Sequence, residues 1–358
     1  MIGHLKIGRI VTTVLVVVFI VLAIVLFAGK KEDILPLSTE GIRSCEIFLQ
    51  NDKTVLRTDN TLYVLDAHGN KEHKLTLPSK DCLFAVNGAY ILTGNKQNNV
   101  VSLYKNGALL GTVTIGGAIR NLFLNENGGF CVVHEEASYM SCVSVYKNDL
   151  NKLLSHAHDS CFFLSAALSP DNNRFAVSMI DYTQDTPVSE IRVYDIIKEE
   201  ALLLWNLDYP DEIIAGLKLH NNGSVTILSD RRLCHFKKDG TALFSRDFSG
   251  KNLVFAEYRN DDYFFLAFEN GTASDFEFYQ KNGKLLASFT ISDAISKAKL
   301  AGKNLALYSN DTLYRISHKG VVKHSVKTNK LYSDMVLCAD GKTVVLLSEN
   351  EISKMILK

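Results

Sequence analysis

Apolar and polar residues alternate in short runs along most of the chain, and eight of these runs resemble one another. In each run the alternation leads to an apolar anchor residue, after which a polar turn usually follows. This pattern is typical of a β-strand that enters a hairpin. The runs begin at Leu62, Val101, Val143, Ile191, Cys234, Phe276, Leu313 and Ile352, and their anchors are Leu65, Tyr104, Tyr146, Tyr194, Phe236, Tyr279, Ile316 and Met355.

The spacing of the anchors indicates the architecture. Successive anchors are 37 to 48 residues apart, and a mean of roughly 41 residues is the period of a four-stranded propeller blade. Turns rich in Asn, Asp and Gly precede the runs, as in residues 168–177, and are suited to closing the first two strands of a blade. The sequence therefore predicts an all-β, eight-bladed β-propeller over residues 34–358. Seven blades with an odd terminal hairpin are the alternative.

The last repeat ends one strand short of a blade. Residues 34–38, far away at the other end of the chain, resemble the fourth-strand segment at residues 75–79. We therefore expect residues 34–38 to complete the last blade, which would remove the exposed sheet edges at which strands of different chains pair.

An apolar segment precedes the propeller. Residues 10–28 carry no charge, and only Thr12 and Thr13 are polar. As a helix they would extend about 28 Å, close to the ~30 Å hydrocarbon thickness of a bilayer. We predict a short tail at residues 1–9, a transmembrane helix at 10–28 and a juxtamembrane linker at 29–33. A cleaved signal peptide is the alternative, although the large residue Leu26 occupies a cleavage position that favours small ones.

The orientation of this helix depends on a close balance of basic residues. Lys6 and Arg9 precede it, and Lys30 and Lys31 follow it, so the positive-inside rule gives a tie. The free amino terminus adds a charge to the first side. We expect a single-pass cell-membrane protein with a cytoplasmic amino terminus and the propeller outside.

Composition limits the classes of partner. Lys plus Arg and Asp plus Glu are balanced at 39 each, so the overall charge gives no support to nucleic-acid binding, which needs a basic surface. No linker rich in proline, serine or charge divides the region after the helix. We expect one monomeric propeller domain that binds a protein or a component of the cell envelope.

Residues 168–177, with the sequence LSPDNNRFAV, resemble the hairpin that recurs in WD40-like and quinoprotein-like propellers. The chain departs from true WD40 repeats because its one tryptophan, Trp205, has no Asp after it. It also lacks the tryptophan-docking repeats of quinoprotein dehydrogenases, so the resemblance implies no pyrroloquinoline cofactor, and we predict none. A helix followed by a degenerate eightfold propeller resembles membrane-anchored propeller families of unknown function from Gram-positive bacteria. That resemblance implies location and shape.

An acidic residue recurs where the fourth strand of one blade leads into the next blade. These handover acids are Glu40, Asp81, Asp159, Asp211 (followed by Glu212), Asp293 and Asp334. Because equivalent loops of a propeller lie on one face, the carboxylates could form a ring that attracts a cation or a basic partner. The alternative interpretation is that they stabilise turns by accepting hydrogen bonds from nearby backbone amides.

Two histidine segments resemble runs of metal ligands. His156 and His158 share a strand face and precede Asp159, but no third ligand is evident from the sequence. His134, Glu135 and Glu136 lie at the end of a predicted strand and lack the helix that zinc-protease spacing requires.

The chain contains seven cysteines and no CxxC spacing. Most lie in predicted strands, where thiols act as small core residues. An odd number argues against a complete disulfide framework. One pair, Cys131 with Cys142, could still form a bridge, although free buried thiols fit the pattern better.

The sequence is compatible with two classes of function. The first is a non-enzymatic binding or scaffold module that presents loops on a rigid ring beside the membrane. The second is a propeller hydrolase or lyase with a metal-assisted site in the channel, which needs converging acid, base or metal-binding side chains. No catalytic residue is assigned.

Overall fold

The computed structural model describes residues 35–37, 46–51, 53–66, 69–183, 186–328, 330–349 and 351–358. The described residues form 32 β-strands arranged in eight four-stranded sheets. The eight-bladed propeller is confirmed, and the seven-bladed alternative is wrong. The predicted transmembrane helix and Glu40 lie outside the described residues. Within those ranges, no helix has the length and apolar character needed to cross a membrane.

Blades 1 to 4 use consecutive strands that pair antiparallel, from the innermost strand outward. Blade 1 contains β2 (Glu46–Gln50), β3 (Lys53–Arg57), β4 (Thr61–Leu65) and β5 (Lys71–Thr76). Blade 2 contains β6 (Leu83–Asn87), β7 (Tyr90–Asn95), β8 (Val100–Lys105) and β9 (Ala108–Thr114). Blade 3 contains β10 (Ile119–Leu124), β11 (Phe130–Glu136), β12 (Tyr139–Tyr146) and β13 (Lys152–His158). Blade 4 contains β14 (Cys161–Leu168), β15 (Arg174–Asp181), β16 (Val188–Ile197) and β17 (Glu200–Pro210).

Blades 5 to 7 repeat the same order. Blade 5 contains β18 (Ile214–Leu219), β19 (Val225–Ser229), β20 (Arg232–Phe236) and β21 (Ala242–Asp247). Blade 6 contains β22 (Leu253–Glu257), β23 (Tyr263–Asn270), β24 (Ala273–Gln280) and β25 (Leu285–Ile291). Blade 7 contains β26 (Ile295–Ala301), β27 (Asn304–Ser309), β28 (Thr312–Ser317) and β29 (Val322–Lys327).

Blade 8 combines both ends of the described chain. It contains β30 (Asp334–Leu337), β31 (Thr343–Leu347), β32 (Ile352–Ile356) and, hydrogen-bonded to β32 as the fourth strand, β1 (Leu35–Leu37). The predicted closure by residues 34–38 is thereby confirmed for the described part, Leu35–Leu37. The ring is closed by backbone hydrogen bonds between strands that are remote in sequence.

The repeated phrase of the sequence forms the third strand of every blade, and its anchor has a constant structural role. In seven blades the register between the third and fourth strands shifts immediately before the anchor, for example between Val145 and Tyr146 and between Phe278 and Tyr279. Such a β-bulge increases the local twist and bends the strand. The anchors are buried or half-buried, so each bulge places one large apolar side chain between blades.

The core consists of apolar layers between neighbouring blades. Val143 and Val145 of blade 3 pack with Phe175 and Val177 of blade 4, and equivalent layers follow around the ring. Ile47 of blade 1 packs with blade 8. Each sheet therefore buries both faces on its neighbours, which explains how so long a chain forms one ring.

Candidate functional site

One face of the propeller carries the handover acids that the structure describes. Neighbouring strands of a blade run in opposite directions, so the connections between blades and the hairpins between second and third strands lie at the same end of the ring. We call this end the handover face. The opposite face carries the hairpins that join the first and second strands and the third and fourth strands.

Three of the described handover acids are exposed. Asp81 lies between β5 and β6, Asp159 between β13 and β14, and Asp211 between β17 and β18. The backbone of Asp211 has a φ of 58°, which places it in the left-handed region that Asp tolerates better than most residues. These three carboxylates are accessible to a partner in solution.

The acid beside Asp211 has a different environment. Glu212 is buried, with 4% of its surface exposed. Its carboxylate accepts hydrogen bonds from Ser229 Oγ at 2.8 Å and from Arg232 Nε at 3.1 Å, and Arg232 Nη2 also pairs with it. This ion pair connects the entry of blade 5 to its second and third strands.

The remaining two described handover acids are half-buried and accept hydrogen bonds within the propeller. Asp293 Oδ2 accepts from Tyr314 Oη at 3.2 Å. Asp334 Oδ1 accepts from the backbone amide of Met335 at 2.9 Å, and its Oδ2 lies 3.4 Å from the amide nitrogen of Ile47. The handover acids therefore fall into an exposed group and a group engaged in the fold.

His156 lies at the boundary between blades 3 and 4. Its Nε2 is 3.0 Å from Tyr194 Oη, and its ring contacts Phe163 and Phe175. Burial, with smaller contributions from the charges of Arg192 and His158, lowers the pKa of His156 to about 4.

His158 follows on the same strand face, two residues further along β13. Its Nδ1 lies 3.4 Å from the backbone nitrogen of Ser160. The described residues whose ligand atoms come together as a potential metal site do not include this pair.

A cavity of about 490 Å³ occupies the central channel. The inner strands of blades 1 to 5 line it mainly with apolar and amide side chains, such as Phe84, Leu122 and Asn125. Among the described residues of its lining, Lys218 and Arg259 are the charged ones, and none is a carboxylate, an imidazole or a thiol. An acid and base pair of the kind that the hydrolase or lyase alternative requires is therefore not found there.

A second cavity, of about 430 Å³, opens on the handover face between blades 3 and 4. Its floor contains Val133, Phe163 and Ile180. Three large side chains at its mouth are partly exposed: Met140 at 38%, Phe162 at 43% and Tyr182 at 56%. The rings of Phe162 and Tyr182 meet edge to face, with centroids 6.1 Å apart. We call this cavity and its three mouth residues the aromatic groove.

Charged residues border the aromatic groove. Arg120 and Glu135 line it and form an ion pair, and both side chains are well exposed. The exposed handover acid Asp159 precedes Phe162 by three residues. The groove thus combines an apolar centre with a rim that carries both signs of charge.

A third cavity, of about 370 Å³, lies next to the aromatic groove and shares Glu135 and Met140 with it. Gly116 and Gly117 form part of its wall. A Cβ atom at Gly117 would lie 1.7 Å from the carbonyl oxygen of Glu135, so only glycine fits there. We call this space the glycine cavity.

Three potential metal ligands converge beside the glycine cavity. The ligand atoms of His134, Glu136 and Cys142 all lie within 4.8 Å of one another. His134 and Cys142 are buried, whereas Glu136 is exposed and lines the cavity. Burial raises the pKa of the Cys142 thiol to about 12, with a contribution from Glu136. Burial also lowers the pKa of His134.

The suggested bridge between Cys131 and Cys142 is wrong. In the β11–β12 pair Cys131 lies opposite Val145, and Cys142 lies opposite His134. This register puts the two thiols on opposite faces of the sheet, where they cannot meet. Cys82, Cys131, Cys142, Cys161 and Cys234 are buried and form no disulfide.

The sequence pattern did not reveal the aromatic groove or the convergence of His134, Glu136 and Cys142. Alternation predicts that one of Phe162 and Phe163 faces outward, but it does not show that Met140 and Tyr182 join the exposed ring. A register calculation for the hairpin of β11 and β12 is the one sequence signal that could have paired His134 with Cys142.

Comparisons with known proteins identify the family and the fold. A family model described as a family of unknown function, DUF5711, matches residues 39–357. No curated protein matches the sequence.

The carboxy-terminal WD40 domain of Sif2 is similar at 16% identity and a TM-score of 0.61, covering 92% of this chain and all of that chain (100%). Sqt1 of Chaetomium thermophilum, bound to the amino terminus of ribosomal protein L10, is similar at 13% identity and a TM-score of 0.57, covering 89% of this chain and 98% of that chain. The dihydro-heme d1 dehydrogenase NirN is similar at 13% identity and a TM-score of 0.57, covering 91% of this chain and 77% of that chain.

Proposed function

The chain belongs to DUF5711, a family of unknown function, so we propose its function from the site itself. We propose that it is a non-enzymatic recognition module whose handover face binds an extended segment of another protein. The observation that carries this proposal is the aromatic groove. Partly exposed aromatic and methionine side chains around a pocket are typical of protein-binding surfaces, where buried aromatic anchors supply much of the affinity. The three mouth residues offer such anchors without any rearrangement of the strands.

The rim indicates the chemistry of the partner. Glu135, Glu136 and Asp159 are exposed near the groove, and Arg120 is engaged with Glu135. An apolar side chain of the partner would fill the pocket, and lysine or arginine residues beside it would meet the three carboxylates of the rim. We therefore propose a segment with one aliphatic or aromatic anchor and basic flanks.

The similar propeller Sqt1 supports this type of recognition, because its structure contains the amino terminus of a ribosomal protein. The enzymatic alternative has less support. The described lining of the channel supplies two cations and no general base. The similarity to NirN extends to the fold alone.

We further propose that the propeller is held at the outer side of the cell membrane by a helix at residues 10–28, with the amino terminus in the cytoplasm, and that its partner belongs to the cell envelope. The length and lack of charge of that segment support the anchor.

Carbonate washing of membranes tests the anchor, because an anchored chain stays in the pellet. Added protease tests the orientation, since it should digest the propeller in intact cells. A soluble chain would contradict the anchor, and a protected propeller would contradict the orientation.

The recognition proposal is tested with peptides displayed on phage and selected against the full-length chain in mild detergent. Selected peptides should share an apolar anchor flanked by lysine or arginine. Replacing Phe162 or Tyr182 with serine should weaken their binding at least tenfold. Leu202 is the matched control, because it is 54% exposed but lies on the outer strand of blade 4 beside the opposite face. Equal binding by the Phe162→Ser, Tyr182→Ser and Leu202→Ser variants would exclude the aromatic groove as the site.

A further inference from the structure

We propose that His134, Glu136 and Cys142 form a binding site for a divalent transition-metal ion of the zinc type. His134 on β11 and Cys142 on β12 are direct register partners, and Glu136 follows His134 by two residues at the start of the hairpin. The ligand atoms of all three lie within 4.8 Å of one another. This proposal does not depend on the recognition function.

The donor set suits zinc. An imidazole nitrogen, a thiolate sulfur and a carboxylate oxygen bind Zn²⁺ at about 2.0 to 2.3 Å, which places neighbouring ligand atoms of a tetrahedron roughly 3.3 to 3.8 Å apart. The observed separations, all within 4.8 Å, are therefore at most about 1.5 Å wider than those of the bound arrangement. Because Glu136 is exposed on the rim of the glycine cavity, rotation of its side chain can close this difference. Calcium and magnesium are harder cations that prefer oxygen ligands alone, so this set of a nitrogen, a sulfur and an oxygen donor does not suit them.

The surroundings of His134 already hold the ring as a metal ligand requires. Its Nδ1 lies 2.9 Å from the carbonyl oxygen of Glu135, and its Nε2 lies 2.9 Å from Ser144 Oγ. Because a carbonyl oxygen only accepts, Nδ1 donates to Glu135 and Nε2 is the nitrogen with the free lone pair, so the carbonyl holds the ring nitrogen that does not bind the metal, as second-shell partners commonly do. Ser144 Oγ is also 2.9 Å from Ser155 Oγ, so its hydroxyl has another partner if a metal takes its place at Nε2.

The fold also provides access and a fourth coordination position. The glycine cavity connects Glu136 with solvent and has room for a water molecule beside the ion. Three protein ligands with one open position are typical of zinc sites that exchange ligands. As the metal–sulfur bond forms, the proton of the Cys142 thiol leaves to solvent, so each ion bound releases one proton from this group.

Cobalt titration of the full-length chain in mild detergent tests the site. We expect one equivalent of Co²⁺ to bind with a thiolate-to-cobalt charge-transfer absorption band, and Zn²⁺ to displace it. Cys142→Ser should remove the band. Glu136→Gln should weaken Co²⁺ binding at least tenfold, and it leaves the fold intact because this side chain is exposed.

Two controls make the result specific. Cys131→Ser changes a buried thiol of the same sheet that faces the other way, and His158→Gln changes the histidine pair on β13. Both variants should bind Co²⁺ as the unaltered chain does. Absence of Co²⁺ binding, a bound ion without the thiolate band, or unchanged affinity in Glu136→Gln would each overturn the proposal. If Cys142→Ser fails to fold, the Glu136→Gln measurement still decides.

Discussion

Tyr194 of blade 4 and His156 of blade 3 form a hydrogen-bonded aromatic pair across the boundary between the blades. The hydroxyl oxygen of Tyr194 is 3.0 Å from Nε2 of His156, and the ring centroids are 4.9 Å apart. Tyr194 is also the anchor of the fourth repeat and stacks on Phe175 at 4.7 Å. The same residue thus fills the core of its own blade and satisfies a polar atom of the preceding one.

Removing the hydroxyl of Tyr194 should lower the free energy of unfolding. The Tyr194→Phe variant keeps the ring but leaves His156 Nε2 without this partner in a half-buried position, which costs about 1 kcal/mol. Urea denaturation measures the difference. Tyr182→Phe is the control, because Tyr182 is 56% exposed and its hydroxyl remains solvated after folding. Equal stability of the Tyr194→Phe variant and the unaltered chain would show that the hydrogen bond contributes nothing.

Acid should destabilise the propeller through two buried histidines of blade 5. His220 and His235 are each 1% exposed, and both are hydrogen-bonded to Thr226, at 2.7 Å and 2.8 Å respectively. Burial is the largest cause that lowers the pKa of His220 to about 4 and that of His235 to about 3. For His220 it outweighs the attraction of Asp261.

The pKa of an unfolded histidine is about 6.5. Below that pH the unfolded chain takes up protons that the folded chain excludes. The free energy of unfolding should therefore be highest above pH 6.5 and fall as the pH drops towards 4, by up to about 1.4 kcal/mol per pH unit for each histidine. Urea titrations between pH 7 and pH 4 measure this slope. His235→Gln should flatten it, whereas His73→Gln on an outer strand should not. A slope unchanged in His235→Gln would contradict the assignment.

The two acids at the entry of blade 5 should behave differently. Glu212→Gln removes the charge that faces Arg232 in a buried position, and we expect a loss of about 2 kcal/mol in the free energy of unfolding. Asp211→Asn retains an exposed side chain that tolerates the left-handed backbone, so the change should stay within about 0.5 kcal/mol. Denaturation of both single variants tests the distinction, and equal losses would contradict it.

The exposed handover acids should affect binding and leave stability unchanged. A variant with Asp81, Asp159 and Asp211 replaced by asparagine keeps the size and much of the turn bonding of the side chains. It should bind the selected basic peptides more weakly, and the difference should shrink as salt increases. Peptide titration at two salt concentrations measures this effect. If the variant binds the peptides as tightly as the unaltered chain does at both salt concentrations, these residues serve turn formation alone.

Loss of strand β1 should open the ring. A chain that begins at Gly41 lacks Leu35–Leu37 and leaves the outer edge of β32 unpaired, whereas a chain that begins at Gly29 retains the strand. The shorter chain should melt at a lower temperature and form oligomers through the exposed edge. Calorimetry and size-exclusion chromatography compare the two. Identical melting and a monomeric short chain would show that β1 does not stabilise the ring.

The sequence predicted the architecture well because the fold repeats. One period of alternation and one recurring anchor are enough to define a blade, and the bulge before Tyr146 or Tyr279 explains why the anchor is always large and apolar. The closing strand could also be predicted, since residues 34–38 resemble an ordinary fourth strand.

The sites could not be predicted to the same extent, because they depend on features that do not repeat. Asp211 and Glu212 are adjacent acids, yet one is exposed and the other is buried against Arg232. Cys142 meets His134 through the register of a single hairpin. Composition and spacing contain no information on which of two neighbouring side chains turns inward.

The pairing of β1 with β32 also determines when the ring can close during synthesis of the chain. A ribosome makes Leu35–Leu37 long before it makes Ile352–Ile356, so the earliest strand of the ring waits for the latest one. Closing so large a loop costs more conformational entropy than closing a local hairpin, and non-local pairing of this kind is slow. The individual hairpins can form while synthesis continues, but the ring cannot close until the final strand exists. Completion of the propeller therefore requires that the chain has been translated through Ile356.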